Sequence, residues 1–103
     1  MDDVKEITVD KTRQLLGSGA IVVDIRDPAS YEAAHVPGAR HLSDANIEKF
    51  VSHADKTKPI VVYCYHGHAS MGAADYLRDE GFCEVYSLIG GFERWRQTET
   101  VES

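Results

Sequence analysis

The sequence predicts an α/β domain with a mainly parallel sheet. Apolar runs of strand length alternate with helical segments, and the connections between strands are long enough to hold a helix. The run at 20–25 is apolar at every position except Asp24, which is typical of a parallel strand buried on both faces. Because the 103 residues contain no internal repeat or flexible linker, we expect one domain over 1–103 with its core at about 6–96.

Five segments have the pattern of strands, and they are short and bounded by turn or helix signals. The segment at 39–42 is the weakest of them, and we place it at an edge of the sheet. The chain from Gln97 onward is expected to be frayed. The predicted strands are Glu6-Ile7, 20–25, 39–42, 60–63 and 84–88.

Capping residues mark where the helices begin. Thr8 and Asp27 each precede a helical segment, with Pro28 at the first helical position, and either Ser43 or Asp44 caps a third helix. Glycines and the Pro37-Gly38 turn mark the ends. The predicted helices are 9–16, a short one from Pro28 to before Pro37, one through Ile47, Phe50 and Val51, one from Met71 to about Glu80, and one carrying Phe92 and Trp95.

Composition excludes several classes of protein. The net charge of −6 argues against nucleic acid and anionic membrane surfaces as partners. No apolar run approaches the roughly 20 residues of a membrane helix, and the acidic N-terminus does not resemble a signal peptide. With only Cys64 and Cys83, a disulfide scaffold is not expected. We therefore expect a cytoplasmic protein, and a monomer, since no apolar stripe is left to spare.

The stretch from Ile60 to Leu77 carries the candidate chemistry. A buried strand ends at Cys64, a polar loop with Gly67 follows, and a helix begins. Ligands of open α/β sheets bind at this edge, and the N–H groups and dipole of a helix start favour thiolate over thiol. Gly67 lets the backbone curl around the sulfur, and protonated His66 and His68 would add positive charge. We therefore interpret Cys64 as a nucleophile.

Three alternatives compete with this interpretation. Cys64 could be a buried structural cysteine, because free cysteines are among the most buried residues. Cys64, His66 and His68 could bind zinc, but a fourth ligand of suitable spacing is missing. A phosphatase would need arginine six residues after its cysteine, where this chain has Ser70. Losing that charge-assisted contact would cost about 1.5–3 kcal/mol, which disfavours a phosphatase.

Three segments together resemble the rhodanese family of sulfurtransferases. They are Val22–Asp27 with Tyr31-Glu32 and His35–Ala39, then Cys64–Ala69 at the position of the six-residue active-site loop, and Leu88–Trp95 with its Gly-Gly pair and tryptophan. The resemblance runs from about Glu6 to Trp95. It implies a five-stranded, mainly parallel sheet flanked by helices, and the loop is most similar to that of single-domain bacterial members.

The resemblance also implies an activity. Cys64 would take the outer sulfur of thiosulfate and hold it as a persulfide. It would then pass this sulfur to cyanide or to a thiol or dithiol acceptor such as a thioredoxin-like protein. Apart from this covalent intermediate, no cofactor is expected. Loop residues Tyr65, His66, Gly67, His68 and Ala69 would bind the anionic donor. Because this loop has no arginine or lysine, we expect weak thiosulfate binding that tightens as pH falls and the histidines protonate.

Other polar residues near this edge have two readings. Asp24, Arg26 and Ser70 could frame the pocket, although Asp24 and Arg26 are more simply an ion pair or cap. Cys83, Phe92 and Trp95 are interpreted as packed residues. A rhodanese-like module without catalysis, in which Cys64 is a redox switch or merely structural, remains the rival function.

Overall fold

The strands form one parallel sheet in the order β1-β5-β4-β2-β3. The computed structural model describes residues 5–103, and every neighbouring pair of strands in it runs parallel. The five-stranded sheet is therefore confirmed, with the third strand at an edge. The strands are β1 (Lys5–Ile7), β2 (Ile21–Asp24), β3 (Arg40–His41), β4 (Ile60–Tyr63) and β5 (Val85–Leu88).

Five helices connect and follow the strands. Two of the predicted caps are confirmed: the Thr8 side chain accepts the Lys11 N–H at 3.1 Å, and Asp27 accepts the Ser30 N–H at 3.0 Å. Among the described residues, no helix has the length and apolar character required to cross a membrane. The helices are α1 (Val9–Gly17), α2 (Pro28–Ala33), α3 (Ile47–His53), α4 (Ala69–Asp79) and α5 (Gly91–Thr98).

The start of α3 differs from the prediction. Neither Ser43 nor Asp44 caps it, because a turn intervenes and the helix begins only at Ile47. Asn46 takes the N-cap position without a capping bond. Its side chain instead accepts from the Ser43 N–H at 2.8 Å and donates to the His41 carbonyl at 2.9 Å. The amide is used to fold the preceding turn and is therefore not free to cap the helix.

The two faces of the sheet carry separate apolar cores. On one face, Val61 and Tyr63 of β4 pack with residues of α1 and α5, including Trp95. On the other face, Ile60 and Val62 pack with residues of α3 and α4. Strand side chains alternate between faces, so β4, buried throughout, contributes to both cores. Cys64 directly follows this central strand.

The segment after Gln97 is ordered, so the prediction of a frayed tail is wrong. Helix α5 continues to Thr98, and the Trp95 indole N–H donates to the Thr100 carbonyl at 2.9 Å. Beyond it, Glu102 and His35 exchange backbone hydrogen bonds of 2.8 and 2.9 Å in an antiparallel bridge. The sequence did not reveal this contact, because Glu102 and His35 are far apart along the chain.

Candidate active site

Cys64 directly follows β4 and lies at the start of α4. Its Sγ accepts the backbone N–H of Gly67 at 3.2 Å and of Ser70 at 3.3 Å. The residue at the N-cap position, His68, makes no side-chain capping bond. The sulfur therefore takes the place that a capping oxygen usually occupies, and it satisfies an N–H of the first helical turn. Only 6% of Cys64 is exposed. The second cysteine, Cys83, is exposed, so the prediction that it is packed is wrong.

A buried hydroxyl completes the surroundings of the sulfur. Ser70 Oγ lies 3.4 Å from Cys64 Sγ and 2.7 Å from the Oγ of Ser87. Ser70 is therefore brought against the thiol, although it has no exposed surface with which to line an open pocket. Ser87 was not identified from sequence. A polar residue in the otherwise apolar strand Val85–Leu88 is the signal that could have found it.

The environment lowers the pKa of the Cys64 thiol below its ordinary value. Burial, the largest influence, raises the pKa, but hydrogen bonds to the sulfur together outweigh it. They come from the Ser70 hydroxyl and from the backbone N–H groups of Ser70, Gly67 and His66. All of these donors are uncharged. Thiolate is thus favoured by oriented dipoles, and within residues 5–103 no cationic group bonds to the sulfur.

The loop turns around the sulfur through Gly67. This residue has a φ of +97°, a conformation that side-chain-bearing residues rarely adopt. An added Cβ would lie 3.2 Å from both the Gly90 nitrogen and the Leu88 carbonyl oxygen. The predicted role of glycine in bending this loop is therefore confirmed by its geometry.

The start of α5 is hydrogen-bonded to the backbone of the cysteine loop. The N–H groups of Phe92 and Glu93 donate to the carbonyls of Cys64, at 2.8 Å, and Tyr65, at 3.1 Å. Gly91 makes this approach feasible, because a Cβ there would lie 2.5 Å from the Cys64 carbonyl oxygen. The Gly-Gly segment and the cysteine loop, distant in sequence, are one structural unit.

Tyr65 anchors the beginning of the loop to α2. Its hydroxyl donates to Asp27 and lies 2.5 Å from Ser30 Oγ. The hydrogen bond from Tyr65, with further bonds from Ser30, lowers the pKa of the Asp27 carboxyl to about 2. Although Tyr65 is 39% exposed, its ring is held at the rim of the site and is not free to swing away.

The remaining loop residues face solvent. His66, His68 and Ala69 are exposed, so the two imidazoles are available to an approaching anion. Glu93 lies near enough to be affected: its pKa is lowered, first by the hydrogen bond from Arg96 and to a smaller extent by the charges of His66 and Arg26. The rim therefore has both signs of charge.

Asp24 and Arg26 form a buried ion pair. Arg26 Nη2 lies 2.6 Å from Asp24 Oδ2 and also donates to the Ala34 carbonyl at 2.6 Å. The Tyr63 hydroxyl donates to Asp24 at 2.6 Å and accepts the Val36 N–H at 3.1 Å. Burial and the bond to Asp24 raise the pKa of Tyr63. The ion-pair reading of Asp24 and Arg26 is the one that the structure shows.

The described residues offer no alternative centre of metal chemistry. Across residues 5–103, no three His, Cys, Asp or Glu side chains are grouped closely enough to hold a metal ion, so Cys64, His66 and His68 do not form a zinc site. Cys64 also lines none of three surface cavities of about 350, 270 and 450 Å³. The candidate site is a cradle of backbone N–H groups and a hydroxyl around the mostly buried Cys64 sulfur.

Comparison with known proteins agrees with this architecture. The model of the rhodanese-like domain family matches residues 8–98. The thiosulfate sulfurtransferase GlpE of Ectopseudomonas mendocina is 49% identical over 100% of this chain and 94% of its own, and that of Stutzerimonas stutzeri is 48% identical over 95% and 90%. The rhodanese-like domain of the Alr3790 protein from Anabaena shares the fold, with a TM-score of 0.83 at 24% identity over 100% of this chain and 80% of that one.

The chain belongs to the rhodanese-like domain family. Within that family its full-length relatives are sulfurtransferases, and the prediction of a sulfurtransferase enzyme is confirmed at that level.

Proposed function

We propose that the protein is a thiosulfate sulfurtransferase that carries sulfane sulfur as a persulfide on Cys64. The observation that carries this proposal is the set of uncharged groups on Sγ: two backbone N–H donors at 3.2 and 3.3 Å, and the Ser70 hydroxyl at 3.4 Å, which accepts from the thiol and can donate to the thiolate. Such donors stabilise negative charge on the sulfur before and after transfer. The GlpE relatives, which are named for this activity, support the choice of donor.

In the first step the Cys64 thiolate attacks the outer sulfur of thiosulfate. The Sγ–S bond forms with the electron pair of the thiolate, and the S–S bond of thiosulfate breaks with its electrons leaving on sulfite. The products are the Cys64 persulfide anion and sulfite, so the total charge is unchanged. Backbone N–H groups of the loop would receive the outer sulfur as its charge develops.

In the second step an acceptor removes the sulfur. Cyanide attacks the outer sulfur of the persulfide, forms thiocyanate and releases the Cys64 thiolate. A thiol or dithiol acceptor, such as a thioredoxin-like protein, would react at the same atom. Because donor and acceptor use one sulfur in turn, the kinetics would be of the ping-pong type.

The loop residues divide into three roles in this proposal. Gly67 and Ser70 supply donors to the sulfur, and Tyr65 fixes the rim through Asp27. His66 and His68, with Ala69 beside them, would meet the anionic donor from the solvent side. Asp24 and Arg26 support the base of the site and do not contact the substrate. No resident cofactor is required, and a monomer in the cytoplasm stays our prediction.

The test is intact-protein mass spectrometry after incubation with thiosulfate. The wild-type chain should gain one sulfur atom, and cyanide should remove it. Cys64→Ser should show no gain, whereas Cys83→Ser, which removes the exposed free cysteine, should behave like wild type. This pair of variants separates a site-specific persulfide from general thiol chemistry.

Two outcomes would contradict the proposal. A gain that persists in Cys64→Ser but disappears in Cys83→Ser would place the chemistry at the wrong cysteine. No gain in the wild type would favour the rival module without thiosulfate chemistry. Alkylation at mildly acidic pH then distinguishes its forms, because a redox-sensing thiolate reacts fast and a structural thiol does not.

A further inference from the structure

Ser87 places a second buried hydroxyl behind the sulfur. It lies on β5 with 1% of its surface exposed, and its Oγ is 2.7 Å from that of Ser70. Its backbone pairs with Val62 on β4, two residues before Cys64. Strand alternation turns Ser87 to the same face as Val85, which is the face that α4 covers. The hydroxyls of β5 and α4 thus form a short chain that ends at Sγ.

We propose that Ser87 is a positioning residue, whose hydroxyl donates to Ser70 Oγ and thereby directs the Ser70 proton at Cys64 Sγ. This inference rests on the proposed function, because it concerns the same sulfur. It assigns a role to a residue outside the cysteine loop that never touches the substrate.

The number of available protons determines which group donates in each of the two hydrogen bonds. Each serine hydroxyl has one proton, and the chain Sγ–Ser70–Ser87 contains two hydrogen-bond links. With Cys64 as thiolate, Ser87 donates to Ser70 and Ser70 donates to Sγ, so both protons are used. With Cys64 as thiol, the S–H donates to Ser70 and Ser70 donates to Ser87, so the chain runs the other way and the Ser87 proton has no acceptor within it. The ionised sulfur is therefore the state that the hydroxyl pair matches.

The same arrangement serves both halves of the reaction. A stabilised thiolate is present in a larger fraction at neutral pH for attack on the donor. It is also the leaving group when an acceptor takes the outer sulfur, and thiols of lower pKa leave faster. Ser87 would then affect reactivity without any contact to donor or acceptor.

The other charged groups around the sulfur are kept constant in the test. His66 and His68 lie on the loop, Glu93 on α5, and the Asp24–Arg26 pair at the end of β2. None of them is altered in the variants below. A shift in the ionisation of Cys64 can therefore be attributed to the hydroxyl pair.

The experiment measures the rate of Cys64 alkylation by iodoacetamide as a function of pH. All proteins carry Cys83→Ser, so that one thiol reacts. In Ser87→Ala we expect the ionisation midpoint to move to higher pH and the rate below it to fall about threefold to tenfold. In Ser70→Ala, which loses the direct donor, we expect a fall of about tenfold to a hundredfold.

The double variant Ser70→Ala/Ser87→Ala decides the mechanism. If Ser87 acts through Ser70, removing it after Ser70 is gone has no further effect on the midpoint. An equal shift in both backgrounds, or a midpoint that Ser87→Ala leaves unchanged while only the melting temperature falls, would overturn the proposal. The first result would mean that Ser87 acts on Cys64 independently of Ser70, and the second that Ser87 is a merely packed residue.

A matched pair protects the test against poor folding. Ser87→Thr retains the hydroxyl, whereas Ser87→Val has the shape of threonine with a methyl group in place of the hydroxyl. Only Ser87→Thr should therefore keep the wild-type midpoint. Equal midpoints would overturn the proposal. Alkylation needs no sulfur transfer, so this readout can succeed or fail independently of the persulfide experiment.

Discussion

Two buried polar clusters lie at the same edge of the sheet, and they stabilise a buried negative charge in different ways. Asp24, Arg26 and Tyr63 lie on the face covered by α1 and α5, and their charges neutralise each other through direct hydrogen bonds. Cys64, Ser70 and Ser87 lie on the face covered by α4, and hold the sulfur with neutral donors. The first cluster contains a fixed counter-charge and the second does not.

Because of this difference, we expect the ionic cluster to stabilise the fold and the cysteine cluster to set the reactivity of the sulfur. A carboxylate in direct contact with a guanidinium is stabilised and unreactive. The other two members of this cluster fix neighbouring segments, because Arg26 donates to the Ala34 carbonyl and the Tyr63 hydroxyl accepts the Val36 N–H. A thiolate held by dipoles keeps its electron pair available, because no cation bonds to it. We therefore expect damage to the ionic cluster to unfold the protein, and damage to the sulfur cradle to impair chemistry.

The largest expected effect comes from breaking the ionic cluster. Asp24→Asn retains the size of the side chain but leaves the buried Arg26 without its counter-ion, so the free energy of unfolding should fall by about 3–5 kcal/mol. Urea denaturation measures this change. Asp10→Asn, which breaks the exposed pair with Arg13, is the control and should cost about 0–1 kcal/mol. Similar losses in both variants would erase the distinction between a buried and an exposed pair.

The second effect comes from displacing the sulfur cradle. Gly91→Ala would place a Cβ 2.6 Å from the Tyr65 carbonyl carbon, at a φ of +58°, so the loop backbone must shift. We expect sulfur transfer to cyanide, measured as thiocyanate formation, to fall roughly tenfold to a hundredfold. Gly72→Ala is the control, since a Cβ there meets no atom within 4 Å, and it should leave the rate unchanged. A Gly91→Ala enzyme of normal activity would show that the loop does not depend on α5.

The smallest effect sharpens the electrostatic side of the comparison. The KM for thiosulfate should fall a few-fold as pH decreases through the range in which histidine ordinarily titrates, because exposed His66 and His68 gain charge. Glu93 opposes this gain only by a constant amount, since its lowered pKa keeps it ionised throughout. The His66→Gln/His68→Gln variant should lose the dependence and His53→Gln should retain it. A flat KM in the wild type would exclude a role for these imidazoles.

The sequence predicted most of the architecture because its signals are local. Thr8 and Asp27 cap helices within three residues, and the apolar pattern of β4 identifies the centre of the sheet. The link between Cys64 and the start of α4 was predictable for the same reason. Each of these predictions depends on contacts between residues that are close along the chain.

Interactions between distant segments escaped prediction. The Ser70–Ser87 contact, the bonds from α5 to the Cys64 carbonyl and the bridge from Glu102 to His35 each depend on how segments far apart in sequence are arranged in space. Asn46 shows the reverse case, since a good capping residue was diverted by a competing local bond. Ser87 carried a visible anomaly, a polar residue in a buried strand, but its partner could not be read from sequence.

The order of the strands has a consequence for how the protein is made. β1 pairs with β5, and the carbonyls of Cys64 and Tyr65 are bound by the start of α5, so the first contact waits for residues beyond α4 and the second for residues beyond β5 as well. A chain emerging from the ribosome therefore exposes an ordinary thiol first. The loop around its sulfur is held in its final position only when β5 and α5 have been synthesised and have docked.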